Sequence, residues 1–360
     1  MNLSWQRRPA KVSLSQRLNR MQKSAVKLLL FLLLSLFAAA VYGGDRFGVQ
    51  ATGEGGAFFT DAYADNSILR FIGNLHYSKT FHRTYFQLKM RIAPEIYEEN
   101  TATSAVKSKT VLSYGGLYDT TVAWRLDANH RFYYYRLGQS GNLQYNILYL
   151  NGQCAVPRKE HASWLAQVAY FYRDISGQPY TRLDSYTVQA GIGGRFRDWV
   201  DYQLKFYAEH FIIRAVTDET GNARNEGSRI GPLVSIQYGR DYIFNASYLL
   251  VFENNKLNKK TMIEHSVRLV AGKYLSERLS LFVYLKYFIR SSSEEVVYEQ
   301  LTYTPLDSEN WFYAKAGYDI AGGAEVFLRL GYVNDTLPGR KEELSGWQIL
   351  AGIHFVLYHK

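Results

Sequence analysis

The chain has 360 residues, 42 of them Lys or Arg against 32 Asp or Glu, and 16% of it is aromatic. Its single cysteine, Cys154, excludes an internal disulfide framework, and no Cys/His spacing resembles a zinc site. Seven of the basic residues and no acid fall in the first 40 positions, so the remainder is close to neutral and the basic balance is no argument for a nucleic-acid partner.

Those seven are Arg7, Arg8, Lys11, Arg17, Arg20, Lys23 and Lys27, and an apolar run from Leu28 to Ala40 follows, broken by Ser35. Small residues then lead to Gly43 and Gly44. A basic n-region, a short h-region and a small-residue exit read as a secretory signal peptide over residues 1–43. The alternative is a membrane-anchoring helix, which needs about 20 apolar residues, more than this run has. Met21 is a candidate start, and cleavage is expected between Ala40 and Gly44.

From residue 44 to 360 the sequence reads as one domain of alternating strands. In Leu279–Arg290, Leu279, Leu281, Val283, Leu285, Tyr287 and Ile289 point one way, and Ser280, Tyr284, Lys286 and Arg290 the other. The length suits a tilted strand crossing a bilayer. Taken in order, the pattern predicts strands near 46–59, 67–79, 83–97, 108–126, 131–138, 143–153, 162–174, 184–197, 201–215, 229–239, 241–254, 261–274, 278–290, 309–319, 323–333 and 346–358. Tight turns are expected at Asp127-Ala128-Asn129-His130, Asp198–Asp201, Gly239–Asp241, Ser276–Arg278 and Ile320–Gly323. Longer polar connections are expected at Glu98–Lys107, Thr217–Gly227, Asn254–Lys260, Ser291–Asp307 and Asn334–Glu343. The fold class is all-β: an antiparallel transmembrane β-barrel of about 16 strands, or 14 if 46–59 and the division of 131–153 fail. A mean hydropathy of −0.24 fits a wall in which only alternate residues touch lipid.

The last strand carries an outward row of Trp347, Ile349, Ala351, Ile353, Phe355 and Leu357. Together with the architecture, this resembles the porin-like outer-membrane β-barrel proteins of Gram-negative bacteria. Gly352, Phe355 and Leu357 fit that class's barrel-assembly signal, although Leu350 and the terminal Tyr358-His359-Lys360 depart from it. The resemblance implies outer-membrane lipid and the barrel-assembly machinery as partners, and it allows a homo-oligomer.

Turning each apolar row toward lipid leaves Arg70, Lys89, Arg91, Arg125, Arg136, Arg173, Arg195, Arg197, Lys205, Arg268, Lys286, Arg290 and Arg329 facing the lumen. The inward acids placed this way are Glu209, Glu253, Glu264 and Glu325. A low-dielectric wall lined with one sign of charge concentrates counter-ions. The expected function is a passive channel favouring small anionic solutes. The alternatives are an export conduit for an acidic polymer, or a closed structural or adhesive barrel. A constriction from the 291–307 connection, with Glu294, Glu295, Glu299 and Asp307, could override the anion preference.

No enzyme chemistry is expected. In Glu264-His265-Ser266 the neighbours point to opposite faces, which keeps base and nucleophile apart. Glu209 and His210 fail likewise, while a triad assembled across strands with His76 or His354 stays open. No motif implies a cofactor or metal.

Overall fold

A computed structural model describes residues 46–359, apart from 61–65, 98–102, 120, 138–141, 160, 177–179, 197–198, 218–220, 258–260, 292–300, 302, 304–309, 322 and 337–342. The expected signal peptide lies outside the described residues, as does Arg197.

Sixteen strands form one closed barrel, each paired antiparallel with its sequence neighbours. They are β1 (Arg46–Thr60), β2 (Asn66–Phe81), β3 (Thr84–Tyr97), β4 (Thr103–Tyr118), β5 (Val122–Leu137), β6 (Asn142–Lys159), β7 (Ala162–Ser176) and β8 (Tyr180–Phe196). Then follow β9 (Val200–Thr217), β10 (Gly221–Gly239), β11 (Ile243–Asn255), β12 (Met262–Tyr274), β13 (Leu279–Ser291), β14 (Asn310–Ala321), β15 (Ala324–Thr336) and β16 (Glu343–His359). The seam joins β1 to β16, with Glu54 opposite Gly352. Closure gives every strand two ladder partners, which is what a spanning sheet needs where no water can satisfy a free edge.

The wall sorts its side chains as the period of two demands. Outward positions hold Val188 at 56% exposed, Phe206 at 57% and Leu328 at 53%, with Leu204, Val234, Ile236, Leu330 and Ile349 also exposed. A water-soluble barrel would not leave such a belt bare. Long connections lie at one end, 292–309 above all, and tight turns such as 82–83 and 275–278 at the other. The long-loop end is the extracellular one.

Gly352 has a packing reason of its own. A Cβ there would come 2.5 Å from the Phe327 ring and 2.6 Å from the Gly53 carbonyl. The seam closes tightly because this lumen-facing position has no side chain. Phe355 and Leu357 point outward and are exposed.

One turn differs from expectation. The connection between β4 and β5 lies at residues 119–121, with Thr121 N–H donating to Tyr118 O at 3.2 Å. Asp119 takes φ 49°, a left-handed conformation that aspartate tolerates. The segment 127–130 lies inside β5 and pairs with both neighbours. Asp127 is a lumen residue, accepting from Ser113 Oγ at 2.6 Å and Arg125 Nε at 2.7 Å. The strands also outrun the alternating apolar rows. β10 starts at Gly221 and β4 at Thr103, within segments expected to be loops.

Leu285 pairs with Leu269 and Phe312 on the outer face of β13. Leu285→Arg should destabilise the barrel by roughly 2–4 kcal/mol, the cost of a cation at mid-bilayer. Urea titration in lipid vesicles measures it, and an unchanged midpoint would contradict the lipid-facing assignment.

Candidate functional site in the lumen

Register carries the inward face from strand to strand. Starting from Lys286 and Arg290 on β13, paired positions place Arg268, Lys205, Arg195, Arg173, Arg125, Lys89, Arg91, Arg70 and Arg329 on the inner wall. Arg136 is a correction. It shares the outward face of β5 with Trp124 and Leu126, while Tyr133 and Tyr135 point inward. The reason is the misplaced turn: a break at 127–130 resets the parity, and the continuous strand does not.

Several inward residues were not singled out from the sequence. Lys107 and Lys109 on β4, Arg131 on β5, Arg229 on β10 and Lys315 on β14 join the bases. Glu54, Glu95 and Asp127 join the acids. Glu54 and Arg229 both lay within expected strands, 46–59 and 229–239, but Glu54 stands in a glycine-rich run and Arg229 at the first residue of its strand, so no apolar row on both sides fixed their facing.

The deepest cluster lies toward the extracellular end, on β9 to β13. The Arg229 side chain is 3% exposed. It donates to Glu209 at 2.6 Å and Glu264, and its Nε lies 3.3 Å from Glu253. Arg290 Nε donates to Glu264 Oε1 at 2.7 Å, and its Nη2 lies 3.7 Å from Glu253. Two guanidinium groups thus hold three buried carboxylates, and Tyr207 donates to Glu209. Burial of an ion is tolerated only where partners surround it in this way.

Two residues between β13 and β14, Leu301 and Tyr303, lie against that cluster. The Tyr303 ring lies 4.0 Å from the Arg229 guanidinium carbon and 4.8 Å from the Phe211 ring. Its hydroxyl donates to Glu209 Oε1 at 2.6 Å, and its carbonyl accepts from Arg290 Nη2 at 2.5 Å. Burial, reinforced by the Glu209 charge, pushes the Tyr303 phenol well above its ordinary range, so it remains a donor. One step away, the Leu301 carbonyl accepts from Asn225 Nδ2 at 2.8 Å. Leu301 and Tyr303 then complete an apolar core inside the lumen with Tyr145, Ile147, Phe171, Ile175, Leu183, Phe211 and Ile213. Leu301 and Tyr303 pack against the apolar inward positions of β6 to β9, with Arg173 and Ser185 buried among them.

A second network crosses the seam. Arg70 bridges Glu54 and Glu95 at 2.6 Å each, Lys107 meets Glu95 at 3.1 Å, and Arg329 meets Glu54 at 3.3 Å. Lys315 pairs with Glu325 at 2.9 Å, and Arg125 with Asp127. Elsewhere the inner wall is wet: Lys89, Arg91, Arg268 and Gln203 face inward and are exposed. Lys89, Arg91 and Lys205 have no ion-pair partner among the described residues. Toward the periplasmic end a cavity of about 480 Å³ is bordered by Tyr85, Arg125, Gln153, Gln167, Gln203 and Lys205.

The Glu264-His265-Ser266 segment splits across the wall as expected. Glu264 and Ser266 face the lumen, while His265 turns outward and shares a 2.8 Å hydrogen bond with the Tyr248 hydroxyl. His354 is inward, with Nδ1 at 2.8 Å from Thr52 Oγ1. Among the described residues no cluster of metal-binding side chains occurs.

A closed antiparallel barrel with a bare apolar belt outside and paired charges inside defines a class: this is a multi-pass β-barrel of the bacterial outer membrane. No protein-family model matches the chain, and no curated protein matches it. Solved structures share the barrel fold. The copper transporter OprC is 13% identical with a TM-score of 0.42, the match covering 88% of this chain and 60% of that one. The chain thus spans less than two thirds of that protein's length. CdiB from Acinetobacter baumannii is 7% identical with a TM-score of 0.49, covering 86% and 60%. OccD3 of Pseudomonas aeruginosa is 9% identical with a TM-score of 0.40, covering 87% and 92%.

Proposed function

We propose that this barrel is a passive outer-membrane channel for small anionic solutes, with Leu301 and Tyr303 narrowing its extracellular half. One observation carries the reading. Seven of the inward acids, Glu54, Glu95, Asp127, Glu209, Glu253, Glu264 and Glu325, each sit on an Arg or Lys. Lys89 and Arg91 instead face the bore, solvent-exposed and without a counter-charge among the described residues. Paired charges cancel at a distance, so the unpaired ones set the field that a permeating ion feels. The reading requires no chemical step, and the divided Glu264-His265-Ser266 segment is consistent with transport without catalysis.

Replacing Lys89, Arg91 and Lys205 together with Gln should move the reversal potential under a KCl gradient toward zero. The wild-type protein in a planar bilayer should prefer chloride. Chloride preference that survives the triple substitution would mean that these residues do not set selectivity, and a cation-preferring wild type would overturn the reading itself.

A further inference from the structure

The outer wall carries a feature that solute passage does not use. At the extracellular ends of β8, β9 and β10, Arg182 pairs directly with Arg214, and Arg214 directly with Arg224. All three have the outward parity of Tyr186, Val188 and Phe206. Like charges placed directly opposite on neighbouring strands destabilise a sheet. Here the row is held by acids set between the arginines. Asp184 meets Arg214 at 2.7 Å and Arg182 at 3.1 Å, and Glu226 meets Arg224 at 2.6 Å and also Lys256. Asp174 lies opposite Arg182 and is engaged by Tyr180. Four cations thus share two acids, Asp184 and Glu226.

The arginines keep free donor capacity. Their side chains are 43%, 46% and 58% exposed for Arg182, Arg214 and Arg224, whereas Asp184 is 8% exposed. Asp184 is therefore a buried hub that aims two guanidinium groups outward, and Tyr170 steadies it by donating at 2.8 Å. Arg182 also lies over the Tyr172 ring at 5.0 Å.

Height selects the occupant. Below the row, Val188, Ala190, Ile192 and Phe196 make the apolar stripe of β8, and Tyr186 caps it, 5.3 Å from Tyr170. With a rise of about 3.3 Å per residue and a tilt of about 40°, Val188 to Phe196 spans roughly 20 Å of height. Arg182 stands roughly 15 Å above Val188 by the same measure. The row therefore lies just beyond the hydrocarbon, at the level of the outer-leaflet headgroups, on a wall that faces lipid. Guanidinium forks match phosphate oxygens bidentately, and tyrosine hydroxyls beside them suit sugar.

We infer that the Arg182–Arg214–Arg224 row, organised by Asp184, is a binding site for the phosphorylated glycolipid of the outer leaflet. The test is native mass spectrometry of the folded protein in detergent, offered diphosphorylated lipid A or its dephosphorylated form. Wild type should retain the phosphorylated lipid and lose the other. Replacing Arg182, Arg214 and Arg224 with Gln should weaken retention by about tenfold or more, as expected for losing charge-assisted hydrogen bonds. Heat-modifiable gel mobility reports folding. Arg224→Gln alone leaves the Asp184 hub intact and should give intermediate retention if the triple variant does not fold. Equal retention by wild type and variants, or equal retention of both lipids, would overturn the site. Displacement of the lipid by millimolar inorganic phosphate would assign the row to free phosphate and overturn the glycolipid.

Discussion

Arg229→Met should cost about 3–5 kcal/mol, the typical penalty for stripping a buried carboxylate of its partner. Glu209, Glu253 and Glu264 are all nearly inaccessible and all converge on this guanidinium. After the substitution Arg290 would still contact Glu264 and, at 3.7 Å, Glu253. Glu209 would keep the Tyr207 and Tyr303 hydroxyls. Urea unfolding in lipid vesicles measures the loss. A companion variant separates charge from volume: adding Glu209→Gln, Glu253→Gln and Glu264→Gln should restore most of the stability, because the uncompensated charges disappear together. A single substitution with no measurable cost would mean that water or a mobile counter-ion reaches the cluster.

Tyr303→Ala should unseat the β13–β14 connection and raise single-channel conductance. Truncating a buried aromatic costs about 3–5 kcal/mol, and each 1.4 kcal/mol is tenfold, so docking of the connection should weaken by on the order of a hundredfold or more. The substitution removes the ring held between Arg229 and Phe211 and the hydroxyl donated to Glu209. The strands should stay folded, because their ladders close without this segment. Conductance equal to wild type, with the barrel intact, would place the connection outside the conduction path. The two variants also report on each other, since Arg229→Met removes the surface on which Tyr303 rests. Their effects on conductance should therefore be less than additive.

Both predictions depend on residues that the amino-acid pattern left in the background. Arg229 lies beyond the obvious apolar row of β10, in a strand that begins at Gly221. Tyr303 belongs to a polar connection with no period of its own. Alternation identifies a strand only where one side meets lipid. Above the bilayer both faces can be polar, or both apolar, and the signal fades although the ladder continues. Phe211, Ile212 and Ile213 show the apolar case, with Phe211 and Ile213 buried in the lumen and Ile212 turned outward. The same fading produced the false break at 127–130 and the inverted position of Arg136. A lumen aspartate flanked by alanine and asparagine looks like a turn until Ser113 and Arg125 are seen beside it.

What the sequence determined by itself was the all-β class, the count of sixteen strands and the facing of most of the wall. These follow from local physics, because a period of two and a tight turn are properties of a few consecutive residues. Only the tertiary structure decided which cations are spent on carboxylates and which remain open to the bore. Arg70 meets Glu54 and Glu95 from two other strands, and Arg229 meets acids from three. Such pairings depend on register around a closed circuit and on Tyr303 meeting Arg229 and Glu209 inside the lumen, and neither is a property of any one segment.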